Sequence, residues 1–184
     1  MKHVILFTGH MIDEDERKKS RFPASKEIIV RAEILKQLVE ENVSTKKFLT
    51  GIAGGACGGD ILFHELCEEI GIPTEMYLAL PIEEYKKRSV SFAGAAWDIR
   101  FDRLIKKIPV HILPLEKGNN EQNNIWAVAN IWMLGHALEV EGKNMTLIAL
   151  WDCKGGDGNG GTEHMISTAK DKGAKIRIIN INKI

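Results

Sequence analysis

Gly54-Gly55-Ala56-Cys57-Gly58-Gly59-Asp60 places four glycines and a carboxylate within seven residues, directly after the apolar run Phe48-Leu49-Thr50-Gly51-Ile52-Ala53. Glycine loses more conformational freedom on folding than any other residue, so a cluster of it at an ordered junction needs a backbone-level reason. A strand handing over to a helix supplies one. The first amides of a helix have no intrahelical acceptor and point outward with the positive end of the helix dipole. Gly54 and Gly55 would allow close backbone approach and Gly58 would open the helix, so a bound phosphate accounts for the composition. Asp60 either bonds a first-turn amide or accepts from a ligand hydroxyl.

Residues 155 to 162 repeat the theme. Gly155, Gly156, Gly158, Gly160 and Gly161 lead into Thr162 and Glu163 after the apolar run Met145–Trp151, again at a strand-to-helix junction. Taken alone, this is also the composition of a plain surface turn. Two such junctions could grip one phosphorylated ligand from two sides. The first junction lacks the Lys-Ser/Thr ending of a Walker A loop and the GxGxxG spacing of dinucleotide sites.

Other candidates follow apolar runs. Gly9, His10 and a charged segment through Arg21 come after the first, Leu80-Pro81 after the third and Asp152 after the fifth. His10 is the one histidine placed to meet a ligand. Arg88 with Ser89 is the preferred phosphate contact among the cations, and Arg100 and Arg103, one turn apart, are further candidates. Asn130 stands in the apolar stretch Asn123–Val140, where a buried amide must bond either to backbone or to a ligand. Trp126, Trp132 and Met133 on the same stretch read as core. Gly118 to Asn124 reads as a polar loop.

Cys57, His64 and Cys67 fit no common zinc spacing, so no metal is expected, and no other cofactor is called for. The residues spell out no Ser/His/Asp or Cys/His triad.

The elements that must position these residues alternate. Strands are predicted at 3–8, 47–53, 74–79, 109–113, 145–151 and 175–181; helices at 25–41, 59–70, 82–88, 93–107, 123–141 and 161–172. Strict alternation predicts an α/β fold: one Rossmann-like, doubly wound and mostly parallel sheet of about six strands, since parallel neighbours need a crossover helix. Ligands of such sheets bind beyond the carboxyl ends of the strands, where the strand order reverses.

With 184 residues, 44% of them hydrophobic, the chain suits a single domain. Its 25 basic and 25 acidic side chains cancel, which offers no footprint for nucleic acid or an anionic membrane. The opening Met-Lys-His-Val-Ile-Leu-Phe is too short an apolar run for an export signal, and three scattered cysteines read as reduced thiols. The expected location is the cytoplasm.

Ala56-Cys57-Gly58-Gly59-Asp60 resembles the AxGxD element of Smf-type proteins, and residues 157–162 are similar to the PGGxGT element of LOG-type phosphoribohydrolases. Together they resemble the SLOG superfamily of Rossmann-like nucleotide-binding domains. Gly9 to Asp13, Arg21 to Pro23, Arg88 to Gly94 and Ala149 to Asp152 sharpen the likeness to a bacterial branch found beside tetratricopeptide-repeat and signalling modules. The resemblance implies a nucleotide-derived small molecule as ligand, bound by a homodimer. LOG-type enzymes carry a glutamate three residues after the motif threonine, where this chain has Met165, and an Arg-Lys pair that Arg100-Phe101 reproduces in its first half.

A binding or sensing domain is therefore the leading expectation. The alternative is an N-glycosidase acting on nucleoside monophosphates or NAD-type substrates, with Glu163 and Arg100 as its catalytic pair. Single-stranded DNA binding, as in Smf-type relatives, ranks third for want of a basic groove.

Overall fold

β1 (Lys2–Gly9) sends Val4 and Leu6 to one face and Ile5 and Phe7 to the other, all four buried. A strand apolar on both sides belongs inside a sheet covered by helices on both faces, and β1 takes that place. The computed structural model describes residues 2–14, 17, 19–45, 48–114, 124–140, 142–154 and 161–184. The remaining strands are β2 (Phe48–Ala53), β3 (Thr74–Leu78), β4 (Val110–Ile112), β5 (Met145–Trp151) and β6 (Lys175–Asn180). Their order is β4-β3-β2-β1-β5-β6, and every strand pairing is parallel. The fold is α/β, doubly wound and Rossmann-like.

The helices are α1 (Glu27–Ser44), α2 (Gly59–Glu69), α3 (Ile82–Ser89), α4 (Ala95–Leu104), α5 (Ile125–Ala137) and α6 (Thr162–Asp171). All six predicted strands and helices are present, with ends moved by at most four residues. The largest shifts are at helix ends; α4 stops at Leu104 because a turn there leads into Pro109, whose carbonyl accepts from the Met76 amide beside β4.

Crossovers in this handedness put helices on opposite faces once the winding direction reverses. α1 (Val30, Ile34, Leu38), α2 and α4 pack with Ile5, Phe7 and Ile148 in one core. α5 (Met133, Leu134, Ala137) and α6 (Met165, Ala169) pack with Val4, Leu6 and Leu147 in the other. The winding reverses between β1 and β5, so a crevice opens beyond their carboxyl ends. None of the described helices is long and apolar enough to cross a membrane.

Candidate functional site

The β1 and β5 ends are tied together first. Gly9 of β1 lies opposite Leu150 of β5, and the His10 amide donates to the Leu150 carbonyl at 3.2 Å. The His10 ring is buried, and its Nε2 accepts from the Asp152 amide at 3.1 Å. That bond leaves the ring proton of the neutral form on Nδ1. Asp152 is a positioning residue here: its carboxylate accepts from the Lys154 amide, and its carbonyl accepts from the Asn182 side chain. Burial alone would raise the Asp152 carboxyl; the Lys154 amide and the nearby His10 and Arg21 outweigh it and hold it low.

The loop after β1 is stapled by Asp13, whose carboxylate accepts from the Ser20 hydroxyl and from the Arg21 and Phe22 amides. Burial opposes ionisation, yet these bonds and Arg17 keep the carboxyl below its usual value. Phe22 is thereby drawn into the core while Arg17 and Arg21 face the crevice.

The glycine-rich loop after β2 is built differently from the sequence expectation. Four of its amides are engaged within the protein: Gly55 donates to the Tyr85 hydroxyl at 3.1 Å, Ala56 to the Asp60 carboxylate at 3.3 Å, Cys57 to the Ser89 carbonyl at 2.9 Å and Gly59 to the His10 carbonyl at 3.2 Å. The glycines answer to crowding. Gly58 has φ of +98°, and a Cβ there would lie 2.7 Å from the Ile12 amide nitrogen. A Cβ on Gly54 would lie 2.5 Å from Asp60 Oδ2, and one on Gly55 would lie 2.7 Å from Met76 Sδ. Asp60 therefore caps the loop amide of Ala56, upstream of the helix, and not a first-turn amide.

His64 holds this loop from beneath. Its Nε2–H donates to the Gly54 carbonyl at 2.8 Å, and its Nδ1 accepts from the Thr74 hydroxyl at 2.9 Å. Burial pushes its pKa down to about 4, so it stays neutral.

These pieces enclose a cavity of about 750 Å³ beyond the strand ends, within the size range of small-molecule sites. Both glycine-rich junctions reach it, through Gly54, Ala56 and Asp60 on one side and Gly161 and Thr162 on the other. Gly9, His10, Arg21, Arg88, Ser89 and Asn130 also line it. Arg88 reaches across its own helix to Glu84 at 2.7 Å, an exposed pair of little strength that a ligand anion could displace. Three arginines (17, 21 and 88) and one carboxylate line the cavity, with Arg17 paired to Asp13 and Arg88 to Glu84 outside the lining. Burial pushes the Asp60 carboxyl up to about 7, against the opposing effect of the Ala56 amide. A perturbed carboxyl inside a cavity is a usual mark of a functional site.

Several expected residues do not reach the cavity. Arg100 bonds Glu65 and Glu27 and lies over the Trp97 ring at 3.9 Å, which fixes it among α1, α2 and α4. Glu163 is exposed on the first turn of α6 and does not line the cavity. The two residues named for N-glycosidic cleavage are thus absent from the lining. Gly55 faces Met76 and Phe101, Gly58 packs on the loop after β1, and Pro81 is exposed before α3. Cys57 is buried with its thiol pushed up to about 12, too high to supply a thiolate near neutral pH. Gly158 and Gly160 lie outside the described residues, as does the polar loop up to residue 123. Among the described residues no group of acids, histidines and cysteines could hold a metal ion.

Other residues join the lining unannounced. Trp126, half-buried and packed against the core, forms part of the cavity wall, and Met133 reaches the cavity from the core in which it is buried, as read. Asn130 is half-buried and not enclosed. Tyr85 also lines the cavity; its spacing of three and four residues before Arg88 and Ser89 was the available signal. No family model and no curated protein matches this chain.

Proposed function

We propose that the protein binds a phosphorylated, nucleotide-derived ligand in the cavity at the β1/β5 reversal and acts as a sensor of it. One observation carries the reading: both glycine-rich junctions open on a single cavity whose lining bears three arginines. The motif resemblance to the SLOG superfamily supports the ligand class. Because the Gly55, Ala56, Cys57 and Gly59 amides are engaged internally, the arginines and the start of α6 are the groups best placed to meet the phosphate. The homodimer implied by the resemblance is part of the same proposal.

Titration calorimetry against nucleoside mono- and diphosphates, ADP-ribose and cyclic nucleotides tests it, with dissociation constants below millimolar expected for at least one. If none binds, the reading falls. Chromatography of the same mixtures for free base separates binding from N-glycosidic hydrolysis.

A further inference from the structure

The cavity has two unlike ends. His10, Arg21, Gly161 and Thr162 gather over β1 and β5. Tyr85 and Trp126 gather over β2 and β3, because the Tyr85 hydroxyl accepts from Gly55, just past β2, and Tyr77 and Ala79 of the β3 end share the lining. Two strand spacings separate these ends, about 10 Å.

Trp126 is held for contact. Asn124 accepts from the Trp126 amide at 3.1 Å and so fixes the first turn of α5. Its ring meets Tyr85 at 5.6 Å and 61°, edge on, and among the described residues no ring stacks parallel to it. Tyr85 in turn stacks on Phe101 at 6.2 Å. Asn130 and Met133 follow Trp126 at four and seven residues, on the same stripe of α5, and both line the cavity. A flat indole, an amide with donor and acceptor, and a polarisable thioether together suit a planar heteroaromatic ring.

Building on the nucleotide reading above, we infer that the Trp126–Tyr85 end of the cavity seats the purine or pyrimidine base of the ligand, stacked on the Trp126 indole, while the phosphate lies at the opposite end. Stacking of a base on an aromatic side chain is commonly lost by roughly five- to a hundredfold in affinity on truncation.

The test compares AMP, CMP and ADP-ribose with ribose 5-phosphate, which lacks a base, by titration calorimetry on the full chain. At least one base-bearing probe is expected to bind tenfold or more tightly than ribose 5-phosphate. Trp126→Ala is expected to erase most of that preference while leaving ribose 5-phosphate binding within about twofold, and Trp126→Phe to keep much of it; thermal melts establish that both variants fold. Equal binding of base-bearing and base-free probes to the unaltered protein overturns the base seat and leaves a phosphorylated ligand standing. Equal weakening of every probe by Trp126→Ala, or no weakening, overturns it as well. Failure of all four probes to bind overturns the base seat, and failure of the nucleoside diphosphates and cyclic nucleotides as well removes the nucleotide reading itself.

Discussion

The Asp60 carboxyl, raised to about 7 by burial, titrates in the folded protein where an unfolded aspartate is long since ionised. Its sign follows. A raised carboxyl favours folding below the unfolded value of 3.8, and that advantage is lost as pH climbs toward 7, because the native state must then hold a poorly hydrated charge. Asp13 and Asp152, both lowered, act in the opposite sense at lower pH, so only a comparison isolates Asp60. In urea unfolding, Asp60→Asn is expected to gain stability relative to the unaltered protein between pH 5 and pH 8. A constant difference across that range would show that the carboxyl is not perturbed. The presence of Asp60 at the site was legible from the glycine motif. Its partner was not, because capping preference points forward to the helix amides and only the folded loop brings the Ala56 amide back onto the carboxylate. Arg100 and Glu163 were misplaced for a related reason: sequence gives their helices but not the face each presents, and Glu65 with Glu27 claims Arg100 before any ligand can.

The elements were legible almost throughout, since apolar runs of strand length alternate with amphipathic stretches and both sheet faces are covered. What periodicity could not supply is the polar network at the opposite end of the sheet. Glu41 of α1 is 1% exposed, accepts from the Thr146 hydroxyl of β5 at 2.9 Å, and pairs with Lys175 at 2.8 Å and Arg177 at 3.0 Å, both of β6. His3 of β1 closes it through Thr146. Residues distant in sequence thus lock one helix to three strands, and no local pattern encodes such a meeting. Burial would raise the Glu41 carboxyl, but Lys175 and Thr146 hold it low. Its stabilising effect is therefore present above the ordinary glutamate value and lost as pH falls through the lowered one. Glu41→Ala removes the buried acceptor of the Thr146 hydroxyl, while Lys175 is half-exposed and Arg177 keeps Gln37 and Glu40, and it is expected to cost about 2 kcal/mol at pH 7 by urea unfolding, with the penalty shrinking in acid. Ligand affinity should be unchanged, because the network sits at the amino ends of the strands and the cavity at their carboxyl ends. A parallel loss of affinity would show that the two ends of the sheet are coupled.

At the scale of the whole molecule, the question is how α5 can be apolar on nearly every side. Its inner stripe, Ala129, Met133, Leu134 and Ala137, is buried against the sheet. Its outer stripe, Val128, Ile131, Trp132 and Gly135, lines a shallow groove of about 520 Å³ in which Ile131 is 44% exposed. Helices apolar all round are ordinarily buried. Gly135 is exposed within the helix, and a Cβ placed on it would meet no atom within 4 Å, so the backbone there is open to close approach. The two-fold pairing that the resemblance implies could bring the same stripe from a second chain against this one, which satisfies the self-complementarity of an isologous contact. A formal net charge of zero leaves little long-range repulsion against it. Light scattering is then expected to report twice the 20.6 kDa chain mass at tens of micromolar, and Ile131→Glu to return the single-chain mass. Ile131 does not line the ligand cavity, so that variant should bind nucleotide with unchanged affinity. A single-chain mass for the unaltered protein would dismiss the pairing, and a dimer that survives Ile131→Glu would move it to another face.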